Sequence, residues 1–165
     1  MKKWLFLGLC VCFLSGCQKA TFETLGDVPH HQVVAPVERT VLLRLPQDAV
    51  LAVWENDADT LYACQDYTVH VQILDGGDLD GTIRTVSGFS REGLTVLESR
   101  CGDHDRYEWV WTATGDEGDM ICRCVLLDDG DFHYAVTVMA DATLAGGLMP
   151  QWNEMLSSFC LEERE

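Results

Sequence analysis

Two cysteines one residue apart, Cys122 and Cys124, are the residues whose type and spacing most directly suggest chemistry. Thiolates on one strand face point the same way and, with a third cysteine nearby, could bind a soft metal ion. Zinc sites usually spread their ligands across turns, and parallel Cβ vectors disfavour a disulfide between such neighbours. Free cysteine packs as a small apolar residue. The pattern therefore predicts core thiols beneath Trp109 and Trp111, and we expect no metal and no cofactor.

Carboxylates form a second candidate site, because Asp75, Asp78 and Asp80 lie among glycines as in a calcium loop. An EF-hand loop needs oxygen ligands at positions one, three and five. With Asp75 first, position three is Gly77 and position five is Leu79, so the pattern fails. Turn and helix-cap chemistry explains these carboxylates better.

His133 lies near Asp131 on a predicted strand, and a serine nucleophile would complete a triad. The chain has no Gly-x-Ser-x-Gly nucleophile elbow. Trp109, Trp111 and Trp152 could line an aromatic ligand site, but their spacing is that of core positions. We therefore expect no catalytic residues and a protein that is not an enzyme.

The cysteines after residue 17 are odd in number, so at least one thiol is free, buried or paired with another molecule. A disulfide among three of them stays open, because connectivity cannot be read from sequence. The three are Cys64, Cys101 and Cys160, beside Cys122 and Cys124.

The N-terminus has the features of an export signal. Two lysines precede an apolar run over residues 4–14, which is shorter than the roughly 20 residues a spanning helix needs. The segment Leu14-Ser15-Gly16-Cys17 resembles the lipobox of bacterial lipoproteins. The resemblance implies diacylglyceryl transfer to the Cys17 sulfur, cleavage just before Cys17, and anchoring on the extracytoplasmic side of the cell membrane.

The predicted organisation is a signal peptide at 1–16, a lipidated cysteine and tether at 17–38, and one globular domain at 39–165. Removing residues 1–16 takes away two lysines and no acidic residue, which leaves 9 Lys+Arg against 27 Asp+Glu, a net charge of −18. Such a surface cannot neutralise phosphates and is repelled by anionic lipid. The charge therefore excludes nucleic acid as a partner.

Alternating apolar and polar residues predict strands at 40–45, 49–54, 61–63 and 67–74. A weaker alternation at 21–25 could add an edge strand. Asp78 is a good N-cap and Gly88 stands where a left-handed C′ residue belongs, so the sequence predicts a helix over Leu79–Ser87.

Short polar turns then join four strands in a predicted antiparallel meander at 94–101, 106–114, 119–127 and 132–139. A four-residue loop at 115–118 sets Trp111 opposite Cys122, Trp109 opposite Cys124, Tyr107 opposite Leu126 and Val110 opposite Arg123.

The next turn, at 128–130, allows two registers. A two-residue turn sets Cys122 and Cys124 opposite Thr137 and Ala135. A three-residue loop with Gly130 left-handed sets them opposite Val136 and Tyr134. The second register collects the large apolar groups on one face, so we prefer it. It places His133, Ala135 and Thr137 on the face of Arg123.

Apolar residues from Leu148 to Phe159 recur at helical spacing, with Pro150 in the predicted first turn. The sum is an α+β fold: a mostly antiparallel sheet with an inserted short helix and a C-terminal helix. This order resembles the Mog1/PsbP-like domain, an α/β/α sandwich. The matching stretch, residues 40–161, includes Asp-Asp-Gly-Asp-Phe-His-Tyr at 128–134 and a last helix ending in Ser-Ser-Phe at 157–159. The resemblance implies binding and assembly roles with no shared active site.

These observations predict a membrane-anchored extracytoplasmic lipoprotein that acts as a non-catalytic binding or accessory module. Its expected partners are the membrane, through the lipid on Cys17, and another protein. The alternative is a solute-sensing lipoprotein that binds a small ligand or a metal.

Overall fold

A computed structural model describes residues 36–56, 58–115 and 118–162. The elements in chain order are β1 (Val41–Leu42), β2 (Val50–Asn56), β3 (Asp59–Ala63), β4 (Thr68–Asp75), α1 (Leu79–Ser87), a 3-10 turn (Arg91–Gly93), β5 (Leu97–Cys101), β6 (His104–Gly115), β7 (Gly118–Asp128), β8 (Phe132–Asp141), α2 (Ala142–Ser157) and β9 (Cys160–Leu161).

Seven of these strands form one antiparallel sheet in the order β2-β3-β4-β8-β7-β6-β5, and β1 pairs with β9 in a separate two-stranded ladder. The chain lays down β2 to β4, crosses through α1 to the far edge, and returns to the centre along β5 to β8. The predicted α+β class with a mostly antiparallel sheet is confirmed.

The helix α1 begins and ends where its capping residues predict. Asp78 accepts a hydrogen bond from the Gly81 amide at 2.9 Å, and Gly88 closes the helix with a φ of 78°, a conformation that glycine adopts without strain. The predicted bounds, Leu79–Ser87, are confirmed.

The β6–β7 register is also confirmed, with Trp111 opposite Cys122 and Trp109 opposite Cys124. On the other face Arg123 reaches diagonally to Glu108, with its Nε 2.8 Å from Oε1. Both sides of this hairpin therefore carry the groups that the alternation assigned to them.

The central strands are buried on both faces, because one helix covers each. Ile83 of α1 packs against Trp109, Leu126 and Ala135. On the opposite face Trp152 of α2 is fully buried in a cluster that includes Val125 and Leu127 of β7 and Val136 and Val138 of β8. The layering is α/β/α, as predicted.

The preferred β7–β8 register is wrong. Cys122 lies opposite Met139 and Cys124 opposite Thr137, so His133, Ala135 and Thr137 share the face of the two cysteines and not that of Arg123. The rejected register, with a two-residue turn, puts the two cysteines on the correct face, but their partners on β8 are displaced by two residues from those observed. The preferred register was chosen because it collects the large apolar groups on one face. That criterion fails here because a helix covers each face of the sheet, so both faces need apolar residues.

A four-residue loop between the Asp128–His133 pair sets this register. The Asp129 amide donates to the Phe132 carbonyl at 3.2 Å. The Asp129 carboxylate accepts from the amides of Asp131 and Phe132 at 3.1 and 2.8 Å. The tandem acidic residues thus satisfy the amides of the loop that they form.

Two predicted elements differ most in extent. The strand predicted at 40–45 is only Val41–Leu42. The C-terminal helix starts at Ala142, so Pro150 lies in its interior and not in its first turn. Glycines at 146 and 147 are poor helix formers, which hid the first turns. The Asp141 side chain caps these turns by accepting from the Thr143 amide at 2.7 Å.

Candidate functional site

The segment 38–45, here called the strap, crosses the α2 face beside the last residues of the chain. Its β1 strand pairs with β9. The Glu162 amide donates to the Thr40 carbonyl at 3.0 Å, and the Arg44 amide donates to Ser158 Oγ at 2.9 Å. The strap is therefore held by hydrogen bonds to the chain beyond α2, not by pairing within the main sheet.

Arg39 fastens the start of the strap to the β7–β8 loop. Its Nε lies 3.1 Å from Asp129 Oδ2, an ion-pair separation, although the N–H is not aligned for a hydrogen bond. Its Nη1 lies 3.2 Å from His104 Nε2, and its backbone amide donates to Tyr134 Oη at 2.8 Å. The Asp129 side chain is fully buried, so the guanidinium neutralises a carboxylate that water does not reach.

Two grooves flank the strap, and Arg39 borders both. The first, about 610 Å³, has three strands of the sheet as its floor and the strap as its wall; most of the side chains along it are aliphatic. It is lined by Glu38, Arg39, Thr40, Val41, Leu43, Leu45, Leu51, Thr60, Tyr62, Val71 and Ile73. This groove exists because α2 packs on β7 and β8, which leaves the face of β2 to β4 to the strap.

The second groove, about 730 Å³, lies between the strap and the β5–β6 turn. It is lined by Arg39, Leu42, Cys101, Gly102, Asp103, His104, Leu127, Cys160, Leu161 and Glu162. Both volumes fall in the range of small-molecule and peptide sites, roughly 300–1,000 Å³. The arrangement can hold an apolar or extended group beside a neutralised ion pair.

A hydroxyl, an imidazole and a carboxylate meet elsewhere, between α1 and the β7–β8 loop. Thr82 Oγ1 lies 2.7 Å from His133 Nδ1, and His133 Nε2 lies 3.4 Å from Asp128 Oδ2. The tautomer that suits both partners carries its hydrogen on Nε2 and accepts from the threonine hydroxyl. The sequence had placed His133 with Asp131, but the four-residue loop brings Asp128 to it instead.

This array has the connectivity of a nucleophile, base and orienting acid, yet it is enclosed. Thr82 is 6% exposed and His133 1% exposed, so a substrate carbonyl has no approach to the hydroxyl. The array instead satisfies buried polar groups and fixes α1 on the sheet.

Cys122 and Cys124 are buried in the core, as the sequence predicted. Burial raises the pKa of Cys122 to about 11 and that of Cys124 to about 12, which keeps both protonated and unreactive. Burial also raises the pKa of Cys64, with a further contribution from Asp48. All five thiols in the described part are free, and Cys160 is exposed. No group of three or more metal-ligating side chains occurs within the described ranges.

Cys17, the predicted lipidation site, lies outside the described residues, as do the signal peptide, most of the tether and the weak strand pattern at 21–25. Within residues 36–56, 58–115 and 118–162, no helix has the length and apolar character to cross a membrane.

Sequence reasoning did not identify the Arg39–Asp129 pair. The two residues are 90 positions apart, and nothing local marks them as partners. The sequence offers one signal. Basic residues are scarce in so acidic a chain, so each arginine is a candidate partner for a buried carboxylate.

No protein-family model matches the sequence, and no curated protein sequence matches it significantly. Solved structures do share the fold. A Bacteroides thetaiotaomicron protein has a TM-score of 0.52 at 11% identity, covering 75% of this chain and 46% of its own length. LpqN, involved in cell envelope biogenesis of Mycobacterium tuberculosis, has a TM-score of 0.51 at 14% identity, covering 78% of this chain and 86% of its own. A protein of unknown function from Pseudomonas aeruginosa, a putative regulator, reaches 0.48 at 12% identity, covering 79% of this chain and 88% of its own. At these identities the likeness is one of fold.

Proposed function

We propose that this chain is a lipid-anchored extracytoplasmic module of the cell membrane that binds a partner without transforming it. The observation that carries the proposal is the pair of grooves beside the strap. In the first of them aliphatic side chains face a cavity of about 610 Å³, while Arg39, which borders both, is already engaged with Asp129 and His104. The first groove can recognise shape and apolar area, and its lining contains no histidine or cysteine that could act as a base or nucleophile.

The lipobox at Cys17 supports the membrane anchor, because an acylated cysteine holds a domain at the bilayer without a spanning helix. The shared fold with LpqN is compatible with a role in the cell envelope. The resemblance to the Mog1/PsbP-like domain, which lies in the order of the elements and in a loose sequence pattern, also implies binding and assembly.

The anchor is tested by replacing Cys17 with alanine in the full-length protein and separating membranes from the soluble fraction. We expect the variant to leave the membrane, while Cys160→Ala, which removes an exposed thiol in the domain, stays. Retention of the Cys17→Ala protein in membranes would show that the lipid is not what holds it.

Binding without catalysis is tested by crosslinking the anchored protein in its native membrane and purifying it under denaturing conditions. We expect one abundant protein to be joined to it at a stoichiometric level. Labelling of Thr82 by a hydroxyl-directed hydrolase probe would contradict the proposal, because it would mean that the enclosed array opens to substrates.

A small-ligand sensor is the second candidate, and the volume of the first groove favours it. The groove is of the size that encloses a compact organic molecule. Native mass spectrometry of the purified protein distinguishes the two, since a retained ligand adds a defined mass that denaturation removes.

A further inference from the structure

The strand β2 ends the sheet at one side, and no described strand pairs with its outer edge. Three apolar residues on this strand are unusually open: Val50 is 65% exposed, Leu51 53% and Val53 47%. Their cross-strand partners show that both faces of the edge are apolar. Leu51 lies opposite Tyr62, towards the first groove, and Val53 lies opposite Leu61, on the α1 face. A free backbone edge flanked by apolar side chains is a template for another strand.

The opposite edge of the sheet is built differently. On β5 the exposed Leu97 is followed by charged residues. Arg91 Nη2 lies 2.5 Å from Glu98 Oε1, and Arg100 pairs with Asp105. Charges of this kind on an edge strand oppose sheet extension. Among the described residues, charged side chains thus protect β5 from pairing, while no strand covers the apolar part of β2.

Charge indicates what kind of segment suits β2. No lysine or arginine occurs between Arg44 and Arg84, a stretch that contains β2, β3 and β4. The same stretch holds eight acidic residues, at positions 48, 55, 57, 59, 66, 75, 78 and 80. His70 Nε2 lies 2.5 Å from Asp59 Oδ1, and Asp80 is paired with Arg91, whose Nη1 lies 3.3 Å from Asp80 Oδ1. The edge is therefore an apolar strip in a negative field, which attracts cations and repels acidic chains.

We propose that the β2 edge and the adjoining first groove bind an extended segment of another protein by strand addition. The segment alternates apolar residues and is flanked by lysine or arginine. This inference rests on the proposed binding function and specifies its partner. A second copy of this chain is a poor occupant, because it would bring an equally acidic β2–β4 region against the first.

The geometry explains how the segment would be recognised. A strand added to a sheet lies about 4.8 Å from its neighbour, and its side chains alternate between the two faces. Residues on one face would extend over Leu51 into the first groove, and those on the other would cover Val50 and Val53. The β2–β3 pairing is irregular at two places, between Leu51 and Val53 and between Trp54 and Asn56. These irregularities bend the edge and restrict which segments can pair with it. Main-chain hydrogen bonds would supply affinity, while the groove and the charges would supply specificity.

The test uses the full-length anchored protein in its native membrane, with a photo-reactive benzophenone amino acid placed at position 53 or, as the matched control, at position 97. We expect a protein adduct from position 53 and none from position 97. Mass spectrometry should map that adduct to a partner segment with alternating apolar residues flanked by lysine or arginine.

The mapped segment, made as a synthetic peptide, should bind the purified protein more weakly as salt rises. Val53→Lys should weaken that binding about tenfold, because the lysine removes apolar contact and repels the flanking cations. Leu97→Lys, the same change at an exposed apolar residue on the other edge, should leave binding unaltered. Thermal unfolding of both variants identifies any loss that comes from misfolding.

The outcomes separate this inference from the proposed function. Adducts that form at other surface positions but not at 53 would overturn the β2 assignment and leave the binding function standing. Adducts between two copies of the chain, or to a partner segment rich in acidic residues, would overturn the partner class. Absence of adducts at every position tested would contradict both.

Discussion

Replacing Arg39 with methionine tests whether one ion pair fixes the strap. The variant keeps most of the apolar stem and removes the charge that faces Asp129, whose side chain has no exposed surface. Breaking a buried pair from one side leaves an uncompensated charge and costs about 3–5 kcal/mol. Asp129 retains hydrogen bonds from the amides of Asp131 and Phe132, so we expect the lower end, about 3 kcal/mol. That is a large share of a domain's stability, roughly 5–15 kcal/mol.

The assay is a double-mutant cycle by urea unfolding on the chain from residue 17, with Cys17 replaced by serine so that no lipid is attached. Asp129→Asn removes the charge but keeps an oxygen for the loop amides. If the pair acts directly, the double variant should be more stable than the sum of the single changes predicts, by about 2 kcal/mol. Limited proteolysis should cut the strap faster in Arg39→Met. A single-variant cost below about 1 kcal/mol, or strict additivity, would refute the reasoning.

Three further changes probe the interior. Thr82→Val removes the hydroxyl that meets the buried histidine at 2.7 Å and should lower the free energy of unfolding by about 1–3 kcal/mol, whereas Thr82→Ser should restore most of it. Gly76→Ala would place a Cβ 2.6 Å from the Asp131 carbonyl oxygen and should destabilise the fold by about 1–3 kcal/mol. The control Gly146→Ala, whose added Cβ meets nothing within 4 Å, should stabilise the fold by about 0.5–1 kcal/mol. Equal effects of the two changes in urea unfolding would contradict the close packing at Gly76. Because burial raises the pKa of Cys122 to about 11 and of Cys124 to about 12, the unfolded chain loses these protons first, and stability should fall from about pH 9 upwards. Replacing both cysteines with alanine should flatten that decline, and an unchanged slope would contradict it.

The parts of the fold that sequence reasoning predicted correctly are those with local determinants. The cap at Asp78 and the glycine at 88 fix α1 within nine residues. The alternation on β6 and β7 fixes their register, because the tryptophans occupy one face and a charged pair the other, and no second register keeps both sets on their faces. In both cases the deciding interactions join residues that are close in sequence.

The incorrect β7–β8 register and the missed strap contacts have one cause: both depend on burial that the local sequence pattern does not indicate. The β7–β8 register was judged as if one face were solvated, but α2 covers the face opposite α1. Residues of β8 with even numbers, such as Val136 and Val138, therefore enter one core while Ala135 enters the other. The contacts of the strap were missed for a related reason. Its hydrogen-bond partners His104, Tyr134 and Ser158 lie 65, 95 and 114 residues away, beyond any periodicity.

The acidic residues of the turn at 128–131 have a second role beyond the turn hydrogen bonds that explain their presence. Asp129 closes the loop through its neighbours' amides and also faces Arg39 of the strap. Asp128 accepts from the Gly130 amide at 2.7 Å and also approaches the buried His133. One loop therefore ties α1 to one face of the sheet and the strap to the other.

That connection gives the first groove a thermodynamic consequence. Its wall is the strap and its floor is the sheet, so a segment seated there contacts both and is bound only while the strap is in place. Any such occupant must then stabilise the strap by RT ln(1 + [L]/Kd), and anything that detaches the strap must weaken the occupant by the same factor. In sequence the strap adjoins the predicted tether, residues 17–38. Occupancy of the groove and attachment of the strap are therefore linked equilibria, so a change in the Arg39–Asp129 pair that loosens the strap must also weaken the binding of an occupant.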